Sequence, residues 1–109
     1  MTTKQEERIR KKIAKIKKEL ADDKKHWGGF YHDGKGQRYL PPGYFIKLTD
    51  YKGGLRYLNW FSKTFPDDMG YPVFLFEWIV ILFKTGKEIE AKKKHYRLFF
   101  QTHISWISF

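Results

Sequence analysis

LTDYKGGLRYLNWFSKTFPDD, residues 48–68, decides the fold. Thr49-Asp50 reads as a turn. The amphipathic run that follows predicts a helix over about 51–64, and Pro66-Asp67-Asp68-Met69-Gly70 closes it with turn chemistry. Two glycines, Gly53 and Gly54, stand inside the helical run, where each costs about 1 kcal/mol relative to alanine.

Downstream the pattern continues in helices. Pro72 opens a helix that runs to Lys84, and Thr85-Gly86 ends it, with Gly86 expected in the left-handed conformation. The segment KEIEAKKKHYRLFFQT, about 87–102, predicts a fourth core helix, with Glu88 and Glu90 offsetting the dipole in its first turn. The tail HISWISF, residues 103–109, is apolar and is expected to start another helix. The longest apolar run, YPVFLFEWIVILF at 71–83, is shorter than the roughly 20 residues a membrane span needs. Glu77 interrupts it, so it reads as a core helix.

Upstream, residues 3–25 form the clearest helix. Thr3 with Glu6 suggests a capping box, and Ile9, Ile13, Ile16 and Leu20 make one narrow apolar stripe. Glu6–Arg10 and Glu7–Lys11 are spaced as favourable i,i+4 pairs. Residues 26–43 hold five of the nine glycines and the Pro41-Pro42 pair, which is loop chemistry. Trp27, Phe30, Tyr31 and Tyr39 suggest that this loop is pinned to the core, and a short helix over about 41–48 follows it. No strand is needed. The chain divides into a basic helix (1–25), a Gly/aromatic loop (26–40), a first helical hairpin (41–66), a second (71–103) and an apolar tail (104–109), all within one domain.

An offset of 37 residues aligns the hairpins without gaps, setting Asp50 on Lys87, Gly54 on Ala91, Leu58 on His95 and Phe61 on Leu98. On these residues the chain resembles the tetratricopeptide repeat family, whose helix–turn–helix unit of about 34 residues has a Gly-Asp-Tyr-like turn, a small residue past it and a closing proline. The first unit keeps Asp50-Tyr51, Gly54 and Pro66. The second keeps Gly86 and Ala91 and loses the proline. The resemblance covers about residues 36–103 and implies an all-α fold of two degenerate repeats with an extra N-terminal helix. Gly54 then fills the slot where the helices cross most closely; Gly53, opposite Glu90, has no such reason.

The chemistry is sparse. Asp33-Gly34-Lys35-Gly36 lacks the spacing of a phosphate loop and reads as a turn. His26, His32, His95 and His103 show no i,i+4 pairing, and the chain has no cysteine, so no metal site or cofactor is expected. Asp67-Asp68 and Glu88/Glu90 serve as turn and cap residues, Asp68 being able to cap a backbone donor. No catalytic residue is assigned; the reading is of a non-enzyme. A charged N-terminus without an apolar export segment points to the cytoplasm.

The resemblance further implies a concave face that binds peptides of partner proteins. It would show Tyr39 and Lys47 from the first unit, and Val73, Phe76, Glu77, Val80, Phe83 and Lys84 from the second. Lys47 and Lys84, equivalent across the repeat, suit an acidic peptide. The competing and favoured reading makes Phe76, Val80 and Phe83 plain core, covered by the N-terminal helix or the tail. Ile104, Trp106, Ile107 and Phe109 would otherwise cap the array or join a second copy into a homo-oligomer. The net charge of +10 leaves a second class open. A nucleic-acid binder would use the Lys-rich helix, with Lys11, Lys12, Lys15 and Lys18 at its centre and Lys17, Lys24 and Lys25 beside them. Glu19, Asp22 and Asp23 interrupt that charge, which favours a solvated helix docking its isoleucine stripe.

Overall fold

The computed structural model describes residues 1–68 and 70–107, with the side chains of residues 100–107 outside the described set. It is all-α: α1 (Thr3–His26), α2 (Pro41–Lys47), α3 (Tyr51–Thr64), α4 (Pro72–Lys84) and α5 (Glu88–Ile107), with a 3-10 turn at Gln37–Tyr39. No strand occurs among the described residues.

Helix α1 begins at Thr3 as expected, but its cap lies one residue earlier than the sequence suggests. Thr2, not Thr3, is the cap; its side chain accepts from Gln5 N while the Gln5 side chain accepts from Thr2 N. Gln5 takes the reciprocal role because only the third helical residue reaches back to the cap. The stripe docks as expected, with Ile13, Ile16 and Leu20 buried. Arg10 pairs with Asp50 across the fold at 3.5 Å, and among the described residues the i,i+4 ion pair is Lys15–Glu19.

Helix α2 packs against α1, α3 and α4, and α4 in turn carries α5. Leu58, Phe61, Phe74 and Ile81 are fully buried in the cluster where α2, α3 and α4 meet, and Leu75 of α4 is fully buried as well. Burying each contributes roughly 1.5–3 kcal/mol. Phe61, Phe74 and Trp78 form a ring cluster with centroids 4.8–5.8 Å apart. The molecule is 23 Å in its shortest dimension, about two helical layers thick.

The two helix–helix joints share one hydrogen-bond pattern. In the first, Thr49 N donates to Ile46 O and Asp50 N to Phe45 O; in the second, Gly86 N donates to Phe83 O and Lys87 N to Leu82 O. These bonds recur 37 residues apart and form a Schellman ending in both places. The residue at its centre takes positive φ, +53° at Thr49 and +79° at Gly86. For threonine, whose Cβ is branched, that geometry is strained.

Both glycines of α3 are required by contact. A Cβ on Gly54 would lie 2.8 Å from Ile81 Cδ1 and 3.3 Å from Phe45 Cβ, which is the close helix crossing expected there. Gly53 also has its reason, contrary to the sequence reading. A Cβ there would meet the Asp50 carboxylate at 2.5 Å and the Phe45 ring at 2.8 Å. Asp50 caps α3 by accepting from Gly53 N, and the missing side chain leaves room for it.

The Gly/aromatic loop is latched by ions and by the Tyr31 and Tyr39 rings, whereas Phe30, expected to help pin it, is 76% exposed and Trp27 is half exposed. Asp23 accepts from His32 N and Asp33 N, and Asp33 accepts from Gln37 N and Arg38 N. The Arg38 guanidinium lies between the Tyr39 and Phe65 rings, 5.0 and 4.6 Å from their centroids. Its Nε is 3.0 Å from Asp68 Oδ2, an ion pair without hydrogen-bond alignment. Asp68 also accepts from the Tyr39 hydroxyl at 2.6 Å and from Gly70 N, so it caps a backbone donor as expected. The buried Tyr57 hydroxyl donates to Arg38 O.

The tail starts no new helix, because the backbone of α5 continues through Ile107. Phe109 lies outside the described residues, as do the side chains of Ile104, Trp106 and Ile107, on which the capping and self-association readings rest.

Candidate interaction surface

Helix α4 is apolar on both sides. Phe74, Leu75, Trp78, Ile81 and Leu82 fall on one face and are buried. Val73, Phe76, Val80 and Phe83 fall on another, by the same helical spacing. A helix hydrophobic all round needs neighbours all round. α2, α3 and α5 pack against α4, yet among the described residues one face stays open: Val73 is 60% exposed, Phe76 58% and Phe83 61%, while Val80 is half-buried. Neither α1 nor the described part of α5 covers Phe76 and Phe83, and the cover expected from the tail falls on side chains outside the described residues. Ile89 and Tyr96 add exposed apolar surface on α5.

Glu77 sits half-buried on this face. Its carboxylate rests on Gly43 of α2, where a Cβ would lie 2.5 Å from Oε2. Burial raises its pKa, and Lys47 works against that rise. Tyr71, at the start of α4, is raised by its own burial and then by Glu77. No hydrogen bond to Glu77 occurs among the described residues, which leaves its oxygens able to accept one.

The sequence-predicted lysines lie at the margins. Lys47 and Lys84 are exposed, their amines 5.6 Å from the Tyr44 ring and 5.9 Å from the Tyr51 ring. Lys12 of α1 approaches the same Tyr44 ring at 5.8 Å, so two ammonium groups from different helices flank one tyrosine. Tyr44 and Tyr51 were missed by sequence reasoning; a tyrosine beside a lysine in sequence says nothing of a lysine arriving from another helix. Tyr39 stands apart from the lysines. Its ring packs on Phe61, Tyr71 and Phe74 and its hydroxyl is held by Asp68, so it builds the core and the latch.

Lys11, Lys12, Lys15 and Lys18 are all exposed on α1. Past its end, Trp27 is half exposed and stacks on His32 with centroids 5.0 Å apart. Among the described residues no group of three or more His, Asp or Glu is placed to hold a metal ion, and no helix is long and apolar enough to cross a membrane. No family model, curated protein or solved structure matches the chain.

Proposed function

We propose that this chain is a non-enzymatic protein-interaction module built of tetratricopeptide-like hairpins. Its α4 face seats an amphipathic, acidic segment of a partner protein. The observation that carries this reading is the exposure of Phe76 and Phe83 on a helix whose opposite face is core. Exposed apolar surface bordered by charge is the usual mark of a docking site. Lys47, Lys84 and Lys12 border it with positive charge, and Glu77 offers an acceptor for a backbone or side-chain donor. Apolar residues of the partner would contact Phe76 and Phe83, and its carboxylates would contact the lysines.

Fluorescence anisotropy with a labelled amphipathic Leu/Glu helical peptide tests this. The Leu/Glu peptide is expected to bind and its Leu/Lys counterpart to fail. Phe76→Ser with Phe83→Ser should abolish binding, and Lys47→Glu with Lys84→Glu should weaken it. Equal binding by the double serine variant would remove this face from consideration.

A second reading, single-stranded nucleic acid on Lys11, Lys12, Lys15 and Lys18, draws on the half-exposed Trp27–His32 stack at the end of the basic helix. Titration with mixed oligonucleotides at low and high salt tests it. Binding that falls steeply with salt and is lost in Trp27→Ala supports it, and no binding at low salt ends it.

A further inference from the structure

We propose that the cleft between α1 and α3 is a binding site for a small aromatic anion. Those helices share α2 as a neighbour but stand apart from one another, and the space between them is about 650 Å3. That lies within the roughly 300–1,000 Å3 of ordinary small-molecule sites. Ala14 and Ala21 on α1 and Gly53 on α3 are among the small residues that line it.

The inner wall is a row of rings. Tyr31 meets Trp60 edge-on at 6.0 Å, Trp60 meets Tyr57 at 5.4 Å, and Tyr57 meets Phe45 at 6.4 Å. Such a wall favours a flat aromatic body, stacked or edge-on. The charges at the mouth select its head group. Asp50 is engaged already, accepting from Gly53 N and pairing with Arg10. Lys17 on one wall and Arg56 on the other remain, Lys17 with its amine 5.7 Å from the Phe45 ring. Both are exposed, and Arg56 has no ion pair among the described residues. A carboxylate, sulfonate or phosphate on the aromatic body would meet two cations there. This site is independent of the α4 face.

The probe is 1-anilinonaphthalene-8-sulfonate, followed by its fluorescence and by amide shifts in two-dimensional NMR. Saturable binding is expected, with shifts centred on Ala14, Ala21, Gly53 and Trp60. Lys17→Glu with Arg56→Glu should weaken it at least about tenfold, on the scale of a charge-assisted contact. The neutral analogue N-phenyl-1-naphthylamine should change by less than about threefold in that variant, since the ring wall is intact. Ala14→Trp, on an exposed position, should fill the cleft and abolish binding while circular dichroism stays unchanged. Phe76→Ser with Phe83→Ser should leave binding as it is. Shifts centred on α4, or equal affinity in the charge-reversed variant, would overturn the assignment.

Discussion

The first hairpin, α2–α3, and the second, α4–α5, turn through the same joint with different residues. Thr49 takes the left-handed position in one and Gly86 in the other; Gly54 and Ala91 supply the small side of the crossing. Their surroundings differ more. α1 and the latched loop lie over the first hairpin, so Tyr57 is buried with its hydroxyl on Arg38 O. Its counterpart 37 residues on is Lys94, half-buried with its amine 3.6 Å from the Trp78 ring centroid. A backbone joint needs only space and permitted dihedrals, and several residues provide both. What the joint buries is set by its neighbours, and among the described residues α4 lacks them on one face.

The largest expected effect separates core from display within this frame. Phe61→Ala should cost about 3–5 kcal/mol in urea denaturation, because its ring is fully buried in the aromatic cluster. Phe83→Ala should stay within about 0.5 kcal/mol of the parent, as exposed sites do. A large loss at Phe83 would make α4's outer face part of the fold.

Next comes the glycine that sequence left unexplained. Gly53→Ala should destabilise by about 1–3 kcal/mol, since its Cβ must displace the cap carboxylate or the Phe45 ring. The equivalent Glu90→Ala, on an exposed position, should be near neutral. A stabilised Gly53→Ala would mean that helix propensity outweighs the contact.

Exchanging the joint residues gives a smaller effect of opposite signs. Gly86→Thr should lose about 1–2 kcal/mol through its φ alone, since no atom lies within 4 Å of the added Cβ. Thr49→Gly should gain up to about 1 kcal/mol, reduced by the entropy glycine loses on folding. Thermal melts of the pair would show the joints to be one motif or two.

A pH dependence belongs to the second hairpin. Burial, then Arg97, lowers Lys94 from 10.5 to about 8. Between those values the unfolded chain holds the proton that the folded chain has released, so stability should rise with pH from about 8 toward 10. Above 10 the buried Tyr57, raised by desolvation and then by Asp33, gives the opposite slope. Lys94→Met should flatten the rise, measured as the urea midpoint across pH 7–10.

Local pattern made the helices and the 37-residue offset legible. Apolar spacing, Pro72 and Gly86 mark elements by rules that act over a few residues. The candidate face was legible as a set of positions on α4, but its exposure was not. Periodicity shows that Phe76 and Phe83 share a face and not whether something lies over it. The Asp33–Arg38–Asp68 latch was invisible for a related reason: its members come from the loop and from the 65–70 turn, and none has a local signature. Gly53 failed as a propensity argument because its explanation is a through-space contact with Asp50 and Phe45.

The ammonium of Lys94 over Trp78 also makes the second hairpin legible to light. An indole's emission responds to a charge held against its ring, and this charge is carried by α5 while the ring is carried by α4. Lifting α5, or titrating Lys94 near pH 8, changes that field. With the other three tryptophans replaced, Trp78 would report on the α4–α5 seam, beside the face proposed to receive a partner.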